Sequence, residues 1–341
     1  MHSEPWRDKL RDRKICVTAQ LGNKQNNSNS LSNGLQKSRR PRYILLSSFC
    51  PHLTPASGGG QLGRMLAASA SLLNIPLLVL DPSPSSPAKQ VAVPPPPLSH
   101  ITGSFAAATA IRSLAAQVDV LTVEIEHVNV DVLADIQKTT SIQVHPSPQT
   151  LRIIQDKFQQ KEHLRARGMP VADYLAVEGV LGVRAAAERL ELPLMLKSRT
   201  LAYDGRGNYL LREADERAIQ HALDALHECP LYAEKWVPFV REIAVMVVRS
   251  TDGAVVSYPV VETVHRASIC HLVFAPLRAP TDVVQRARKI AENAVKTFEG
   301  AGVFGVEMFL LDDGQTWFLA RSPEERMTIF LVICYRYHLH Q

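Results

Sequence analysis

The sequence lacks any apolar run near the roughly 18 residues that a membrane-spanning helix needs. The longest apolar run near its end covers only 329–334. It also lacks paired cysteines, because its five cysteines are scattered without a Cys-x-x-Cys pair: Cys16, Cys50, Cys229, Cys270 and Cys334. An odd, dispersed set favours a reducing compartment over a disulfide framework. The sequence therefore predicts a cytoplasmic protein with no membrane partner.

A basic folded surface is missing as well, although the formal net charge is +5. Residues 1–42 hold ten Lys or Arg and three Asp or Glu, while the remaining residues hold 28 and 30. The excess positive charge therefore belongs to a basic tail over 1–42, which its Asn, Ser and Gln content predicts to be disordered. Acidic residues within this tail (Glu4, Asp8 and Asp12) argue against a targeting leader. A nearly neutral remainder argues against a nucleic-acid partner.

The sequence has no Walker loop, since no Gly-Lys-Ser/Thr follows a glycine at the required spacing. It has instead an apolar run that ends in Lys197, a polar turn, and the glycine-bracketed cluster 203–208. A lysine supplies a point charge for phosphate oxygens, and glycines let backbone N–H groups turn toward an anion. This stretch predicts a site for a nucleoside triphosphate.

The first half of the chain reads as a Rossmann-like α/β domain over 43–148. A short apolar run at 43–49 is interrupted by prolines before the glycine cluster 58–63, which opens a helical pattern over 65–73. A buried strand ending in Asp81 follows, and this order is typical of a nucleotide-binding βαβ unit. A later strand ends in Glu124 and Glu126, whose spacing of two places both side chains on one face.

The second half alternates helical and strand patterns. We expect helices over 150–167, 183–190, 215–226 and 281–298, and a hairpin formed by 194–197 and 209–211. Further strands are expected over 231–237, 242–249, 255–261 and 302–311, with Asp312-Asp313-Gly314 as a turn.

Four positions admit a functional and a plain reading on residue type alone. Glu234 to Val237 suits the edge of an adenine ring, or is a surface strand with an amphipathic tryptophan. Glu242 suits a ribose hydroxyl or a structural ion pair, and His265 reads most simply as a solvated histidine in a loop. Glu307 is a mid-strand carboxylate, and it is either a half-exposed strand residue or a buried group. A buried carboxylate is costly unless it is paired or bound to metal, which makes Glu307 the best metal candidate.

Read together, these blocks resemble one family. The order is Gly-Gly-Gly-Gln-Leu-Gly-Arg-Met, the Glu124/Glu126 pair, Gln155-Asp156-Lys157 with Gln160-Lys161, the 197–208 run, Glu234-Lys235-Trp236-Val237, and Val303-Phe304-Gly305-Val306-Glu307. This resembles the ATP-grasp 5-(carboxyamino)imidazole ribonucleotide synthetases, in particular the N-terminal module of the fungal phosphoribosylaminoimidazole carboxylases. The resemblance covers about 57–315.

The resemblance implies an ATP-grasp domain over 149–321, with a mobile lid at about 183–236, after a Rossmann-like pre-ATP-grasp domain. It implies ATP-dependent carboxylation of aminoimidazole ribonucleotide by bicarbonate in purine biosynthesis, with Mg²⁺ bound. Lys197, Tyr203 and Arg206 would be catalytic. ATP contacts would come from Lys157, Lys197, Asp204, Gly205, Arg206, Gly207, Asn208, Glu234, Lys235, Trp236, Val237, Glu242 and His265.

The same resemblance implies a ribonucleotide site and a metal ligand. The ribonucleotide would contact Gly60, Gln61, Leu62, Glu124, Glu126, Tyr203 and Arg206. Glu307 would be the first magnesium carboxylate. A homodimer is a further possibility.

The sequence departs from the family pattern at both ends. Residues 1–56 bear no resemblance, and Leu319 and Ala320 stand where the family has the Asn-Glu that supplies further magnesium ligands. The ATP-grasp part is thus expected to be incomplete, with an atypical tail over 322–341, and magnesium binding and activity are expected to be impaired. The alternatives are a non-catalytic ATP-binding protein, a non-functional fragment, or another ATP-grasp ligase such as a biotin carboxylase-like protein.

Overall fold

In the computed structural model, the structure describes residues 43–46, 60–124, 126–200, 207–226, 229–266, 269–312 and 316–318. All of them fall within one compact unit, Arg40–Gln341. The predictions for the tail 1–42 and for 322–341 lie outside the described residues. Among the described helices, none is both long and apolar enough to cross a membrane.

The first layer is a parallel five-stranded sheet in the order β3-β2-β1-β4-β5. Its strands are β1 (Tyr43–Leu46), β2 (Leu77–Asp81), β3 (Ile101–Thr102), β4 (Val120–Val123) and β5 (Gln143–His145). Its helices are α1 (Gln61–Leu72), α2 (Ala108–Ala115) and α3 (Val130–Thr139). The short run before the prolines is thus the central strand of the sheet, paired in parallel with β2 and β4. This architecture confirms the Rossmann-like prediction.

Both faces of this sheet are covered, which is why β2 and β4 are buried at every position. On one face Leu78, Leu80 and Leu121 join the core that contains the apolar residues of α2 and α3. On the other face Val79 packs in the cluster that contains Leu66 of α1. The residues of β2 and β4 are therefore enclosed between two packed layers.

Two short helices lead out of this layer, α4 (Pro148–Gln155) and α5 (Lys157–Arg165). The prediction of one helix over 150–167 is wrong, because Asp156 interrupts it with an extended backbone. Its carboxylate accepts hydrogen bonds from the backbone N–H groups of Phe158 and Gln159. An aspartate that caps a new helix in this way competes with continuation of the previous one.

The second layer is an antiparallel sheet in the order β6-β9-β7-β8. Its strands are β6 (Tyr174–Val177), β7 (Leu194–Ser198), β8 (Asn208–Leu211) and β9 (Leu231–Lys235), with α6 (Gly179–Leu190) and α7 (Glu216–Leu226) packed on one face. The predicted hairpin is confirmed as β7 and β8. The lid range 183–236 omits β6 and the start of α6, which belong to the same sheet and core.

The third layer is an antiparallel sheet in the order β13-β12-β10-β14-β15, with β11 beside β10. Its elements are β10 (Arg241–Arg249), β11 (Val255–Ser257), β12 (Val261–Arg266), β13 (Ile269–Phe274), α8 (Thr281–Lys296), β14 (Gly302–Leu310) and β15 (Thr316–Phe318). On β10, Ile243, Val245 and Val247 are fully buried in the core that includes α8. Alternate residues of β10 therefore occupy the opposite face of the sheet, which carries the candidate site.

Candidate active site

The glycine turn and the glutamates that were predicted to bind the ribonucleotide lie at the carboxyl edge of the parallel sheet. Gly60 has φ 93°, a conformation that favours glycine, and α1 begins immediately after it without a side-chain cap. The first backbone N–H groups of such a helix have no partner within the helix. They point out of its N-terminus, where they can bind an anion. Gln61 and Leu62 are the first two residues of α1. The geometry thus fits the predicted role of the glycine turn.

Glu124 and Glu126 follow β4 instead of ending it, since the strand stops at Val123. Glu124 is 2% exposed. Glu126 lies further along, where its Oε1 is 3.8 Å from Lys157 Nζ. Gln155 donates to the backbone carbonyls of Glu126 (2.6 Å) and Val128 (2.8 Å) and so fixes this segment to α4. The structure therefore brings a predicted substrate residue, Glu126, next to a predicted phosphate residue, Lys157.

A buried charge cluster joins α5 to the second sheet. Glu234 on β9 accepts a hydrogen bond from Lys197 Nζ on β7 at 2.9 Å. Its other oxygen is 3.2 Å from Lys161 Nζ in an ion pair. All three side chains are only 3% exposed. We call these three residues the Lys-Glu-Lys cluster.

The cluster follows from strand register and helix spacing. Met195 of β7 pairs with Glu234, so Lys197, two residues on, shares its face of the sheet. Lys161 comes one turn after Lys157 on α5, so the two lysines project from the same face of that helix. Burial lowers the pKa of Lys161, while the neighbouring Glu234 carboxylate raises it, and the net shift is downward. Lys161 was among the motifs of the sequence, but its residue type alone predicted no role. The signal that could have indicated its location is its spacing of four residues from Lys157.

The glycine loop between β7 and β8 is only partly described. Tyr203, Asp204, Gly205 and Arg206 lie outside the described residues. Gly207 has φ 82° and accepts a hydrogen bond from Ser198 N–H at 2.7 Å, which closes the base of the loop. Asn208 follows as the first residue of β8.

The four residues predicted as the adenine hinge lie at and directly after the end of β9, and their role stays a prediction. Both oxygens of the Glu234 carboxylate face buried ammonium groups. The Lys235 N–H already donates to the carbonyl of Asp173 at 2.8 Å. Trp236 and Val237 follow the strand and are half-buried. Further on, Phe239 stacks on Phe309 at a centroid distance of 4.0 Å, which supplies an apolar surface.

Three predicted residues share one face of the third sheet. Glu242 of β10 pairs with Phe309 of β14, and Ala244 pairs with Glu307, so the two glutamates are diagonal neighbours on that face. His265 Nδ1 is 2.5 Å from Glu242 Oε2, and the histidine is 8% exposed. The prediction of a solvated loop histidine is wrong, because His265 belongs to β12. The register between β12 and β13 shifts between Val264 and His265.

A metal site is not complete on the described residues alone. Within these ranges, no group of three or more His, Cys, Asp or Glu side chains is arranged to hold a metal ion. Glu307 therefore stands as a single candidate ligand. Magnesium in nucleotide sites is commonly held by one or two carboxylates together with substrate phosphates, and Glu307 fits that requirement as one ligand.

The comparisons with known proteins agree with this architecture. Residues 56–155 match the model of the ribonucleotide synthetase pre-ATP-grasp domain, and residues 162–323 match that of the ATP-grasp domain. The fold and these two matches thus place the chain in the ATP-grasp class of proteins.

Relatives specify the family within this class. The chain is 52% identical over 258 residues to the phosphoribosylaminoimidazole carboxylase of Ogataea methanolica, covering 75% of this chain and 47% of that protein. The carboxyaminoimidazole ribonucleotide synthase of Aspergillus clavatus, crystallised with ATP, is 45% identical with a TM-score of 0.73, covering 82% of this chain and 69% of that one. A second structure from Aspergillus clavatus, with ADP and 5-aminoimidazole ribonucleotide, is 44% identical with a TM-score of 0.72, covering 82% and 69%.

This chain belongs to the N5-carboxyaminoimidazole ribonucleotide synthase family. It spans about half the length of the curated fungal relatives it matches.

Proposed function

We propose that this protein carboxylates 5-aminoimidazole ribonucleotide with bicarbonate, at the expense of ATP, in purine biosynthesis. The observation that carries the proposal is the shared face of β10, β12 and β14, where Glu242, His265 and Glu307 come together. In the same fold Lys197 is held on a buried strand, and the Aspergillus relatives bind ATP, ADP and the ribonucleotide.

The reaction divides into two steps in which the protein positions groups and stabilises charge. A bicarbonate oxygen attacks the γ-phosphorus of ATP, the bond to the bridging oxygen of ADP breaks, and carboxyphosphate forms. The amino nitrogen of the ribonucleotide then attacks the carboxyl carbon, phosphate leaves, and the nitrogen loses a proton. No protein nucleophile is required, so catalysis rests on orientation and on exclusion of water from a labile mixed anhydride.

Particular residues would carry these tasks. Lys157 and Lys197 stabilise the negative charge of the transferring phosphoryl group. The uncapped start of α1 binds the phosphate of the ribonucleotide, and Glu124 and Glu126 orient its sugar. Glu242 accepts from the nucleotide ribose, with His265 holding the carboxylate in place. Glu307 would bind Mg²⁺, which neutralises phosphate charge when present.

A second candidate function follows from the sequence at 319–320, which lies outside the described residues. By spacing from Gly314, Leu319 and Ala320 stand about where the resemblance places the family's Asn-Glu pair. With one carboxylate in place of two, the chain would bind ATP and turn it over slowly or not at all.

The deciding experiment measures phosphate release by the purified chain with ATP, bicarbonate and aminoimidazole ribonucleotide, and with each omitted in turn. The proposal expects release that needs all three and that is lost in Lys197→Met. ATP binding in calorimetry without any release would favour the second function. Failure to bind ATP at all would contradict both.

We also propose a cytoplasmic location and a homodimer for this protein. Cell fractionation and sedimentation velocity test these two proposals separately. Recovery with an organelle would contradict the first, and a monomer at micromolar concentration would contradict the second.

A further inference from the structure

The segment 124–129, between β4 and α3, carries both glutamates that were predicted to bind the ribonucleotide. We call it the glutamate segment. Its described part lies outside helices and strands, and it contains a tight turn in which the Val128 N–H donates to the carbonyl of Glu126 at 2.8 Å. Backbone groups outside regular structure need other hydrogen-bond partners, which also fix their position. The position of the Glu126 carboxylate therefore depends on the contacts that hold this backbone.

Gln155, the last residue of α4, holds this backbone from across the domain. Its Nε2 donates to the carbonyl of Glu126 at 2.6 Å and to that of Val128 at 2.8 Å. A side-chain amide has two N–H donors, so each carbonyl accepts one of them. The bonded residues are 29 and 27 positions apart in the chain. The two hydrogen bonds thus set where the glutamate segment lies relative to α4.

Charge alone does not fix the Glu126 carboxylate. Its Oε1 is 3.8 Å from Lys157 Nζ and 4.0 Å from His127 Nε2. Both distances are longer than a hydrogen bond, so Lys157, and His127 when it is protonated, attract the carboxylate without setting its direction. The direction of the carboxylate therefore follows from the backbone that Gln155 holds.

Gln155 belongs to a helix that is fixed at both ends. Near the start of α4, the Thr150 hydroxyl donates to the carbonyl of Glu299 at 2.9 Å and accepts from the Glu299 N–H at 2.8 Å. Directly after Gln155, the Asp156 carboxylate accepts hydrogen bonds from the Arg199 guanidinium. A side chain on a fixed helix gives a more precise support than one on a loop. The amide of Gln155 is therefore a fixed reference for the glutamate segment.

We propose that Gln155 is a positioning residue for the ribonucleotide, which acts through the backbone of Glu126 to direct this carboxylate at the sugar hydroxyls. The inference rests on the proposed function and extends it to a side chain whose two donors are used within the protein. Without these donors, Glu126 would keep its charge but would no longer face the hydroxyls at hydrogen-bond distance.

Two substitutions remove the donors of Gln155. Gln155→Glu keeps the size of the side chain but places a carboxylate against two carbonyl oxygens, and Gln155→Met removes the donors without adding charge. Gln117→Glu and Gln117→Met are the matched controls. The Gln117 amide also donates to a backbone carbonyl, that of Ser113 at 3.0 Å, but this bond is exposed and spans only four residues. Circular dichroism identifies the folded variants, and Gln155→Met carries the test if the new charge of Gln155→Glu prevents folding.

The first measurement is steady-state phosphate release, with the ribonucleotide and ATP varied separately. We expect Gln155→Met to raise KM for the ribonucleotide by about tenfold, as for the loss of roughly one hydrogen bond to a charged group. KM for ATP and kcat should stay within about twofold of the native values, because only ribonucleotide binding is weakened. Both Gln117 variants should match the native chain. An unchanged KM for the ribonucleotide, or an equal rise in both KM values, would overturn the inference.

A second measurement needs no activity and therefore distinguishes this inference from the proposed function. Hydrogen–deuterium exchange, read by mass spectrometry, reports how firmly the peptide that contains Glu126 and Val128 is held. We expect exchange in this peptide to become about tenfold faster in Gln155→Met and to stay unchanged in Gln117→Met. If the native chain released no phosphate but exchange increased in this way, the proposed function would fail and the attachment of Glu126 by Gln155 would stand. Unchanged exchange in Gln155→Met would overturn the inference whatever the activity.

Discussion

The guanidinium of Arg199 donates to both carboxylate oxygens of Asp156, with Nη2 2.6 Å from Oδ2 and Nε 3.2 Å from Oδ1. Arg199 directly follows β7, and Asp156 caps the N-terminus of α5. The carbonyl of Arg199 also accepts from Lys157 N–H at 2.8 Å. This fork ties the residue that directly follows β7 to the helix that carries Lys157 and Lys161, so it fixes that helix relative to the strand that carries Lys197.

Asp156→Asn should destabilise the protein through loss of the charged fork. Asparagine still caps α5, so the variant isolates the ionic contribution, about 1–3 kcal/mol of unfolding free energy at pH 7. Urea unfolding measures it. Asp131→Asn is the control, since the Asp131–Arg152 pair is exposed and should contribute little. Equal small losses in the two variants would contradict a stabilising fork.

The contribution of Asp156 should depend on pH with a definite sign. Burial alone raises the pKa of Asp156, but the hydrogen bonds from Arg199 and from the backbone of Gln159 outweigh it and leave the pKa below its usual value. The stabilisation is therefore complete above the unfolded pKa of about 3.9 and is lost as pH falls through the lower folded pKa. The stability difference between the native chain and Asp156→Asn should shrink below about pH 4. A difference that stayed constant down to pH 2 would contradict it.

Glu242→Gln should weaken ATP binding by about tenfold or more, because a charged acceptor is replaced by a neutral one. Calorimetry measures the affinity. Glu262→Gln is a matched control on β12, because Glu262 pairs with Ile243 and so lies on the opposite face. Glu262 also pairs with Arg241 at 3.5 Å. If both variants lost a comparable amount of affinity, the assignment of the ATP site to the Glu242 face of the third sheet would be contradicted.

Glu307→Gln should weaken ATP binding only when magnesium is present. A carboxylate that binds the metal contributes nothing once the metal is chelated, whereas the effect of Glu242→Gln should persist in EDTA. The measurement is ATP affinity of both variants with excess Mg²⁺ and with EDTA. A loss at Glu307 that is equal in the two conditions would exclude a metal-ligand role.

Gly300→Ala should destabilise the protein much more than Gly168→Ala. Both glycines have positive φ, 83° and 72°, so each alanine incurs backbone strain of about 1–2 kcal/mol. A Cβ at Gly300 would also lie 2.4 Å from the backbone nitrogen of Ser147, whereas a Cβ at Gly168 meets nothing within 4 Å. Urea unfolding of both variants tests the difference. Equal destabilisation would mean that the approach of Ser147 is unimportant.

The sequence predicted those elements whose signals are local. The β7–β8 hairpin, α7 and β14 carry apolar periodicity bounded by glycine, aspartate or a polar turn, and the structure has them. The single helix predicted over 150–167 was wrong because helix periodicity continues through Asp156, and the cap appears only when its carboxylate binds the next turn. The strand position of His265 was missed because it depends on pairing with β10 and β13.

The candidate site residues also divide into those that local sequence signals indicated and those that depend on tertiary contacts. Residue type and spacing indicated Lys197, Glu242 and Glu307 as chemical groups, and their roles remain predictions. The sequence did not indicate that Glu234 is shared by two lysines, since a glutamate at the end of a strand is equally suited to solvent. Only burial of its side chain on both sides by Lys161 and Lys197 excludes that alternative.

The amino-acid sequence by itself determined the family, the order of the layers and the chemical groups available, because these depend on residue type and on periodicity over short distances. The tertiary structure alone decided which carboxylate faces which amine. Lys197 and Glu234 are 37 residues apart, and Asp156 and Arg199 are 43 apart. Such pairs are set by strand register and helix packing across the whole domain, and a one-residue change of register would turn each side chain to the opposite face.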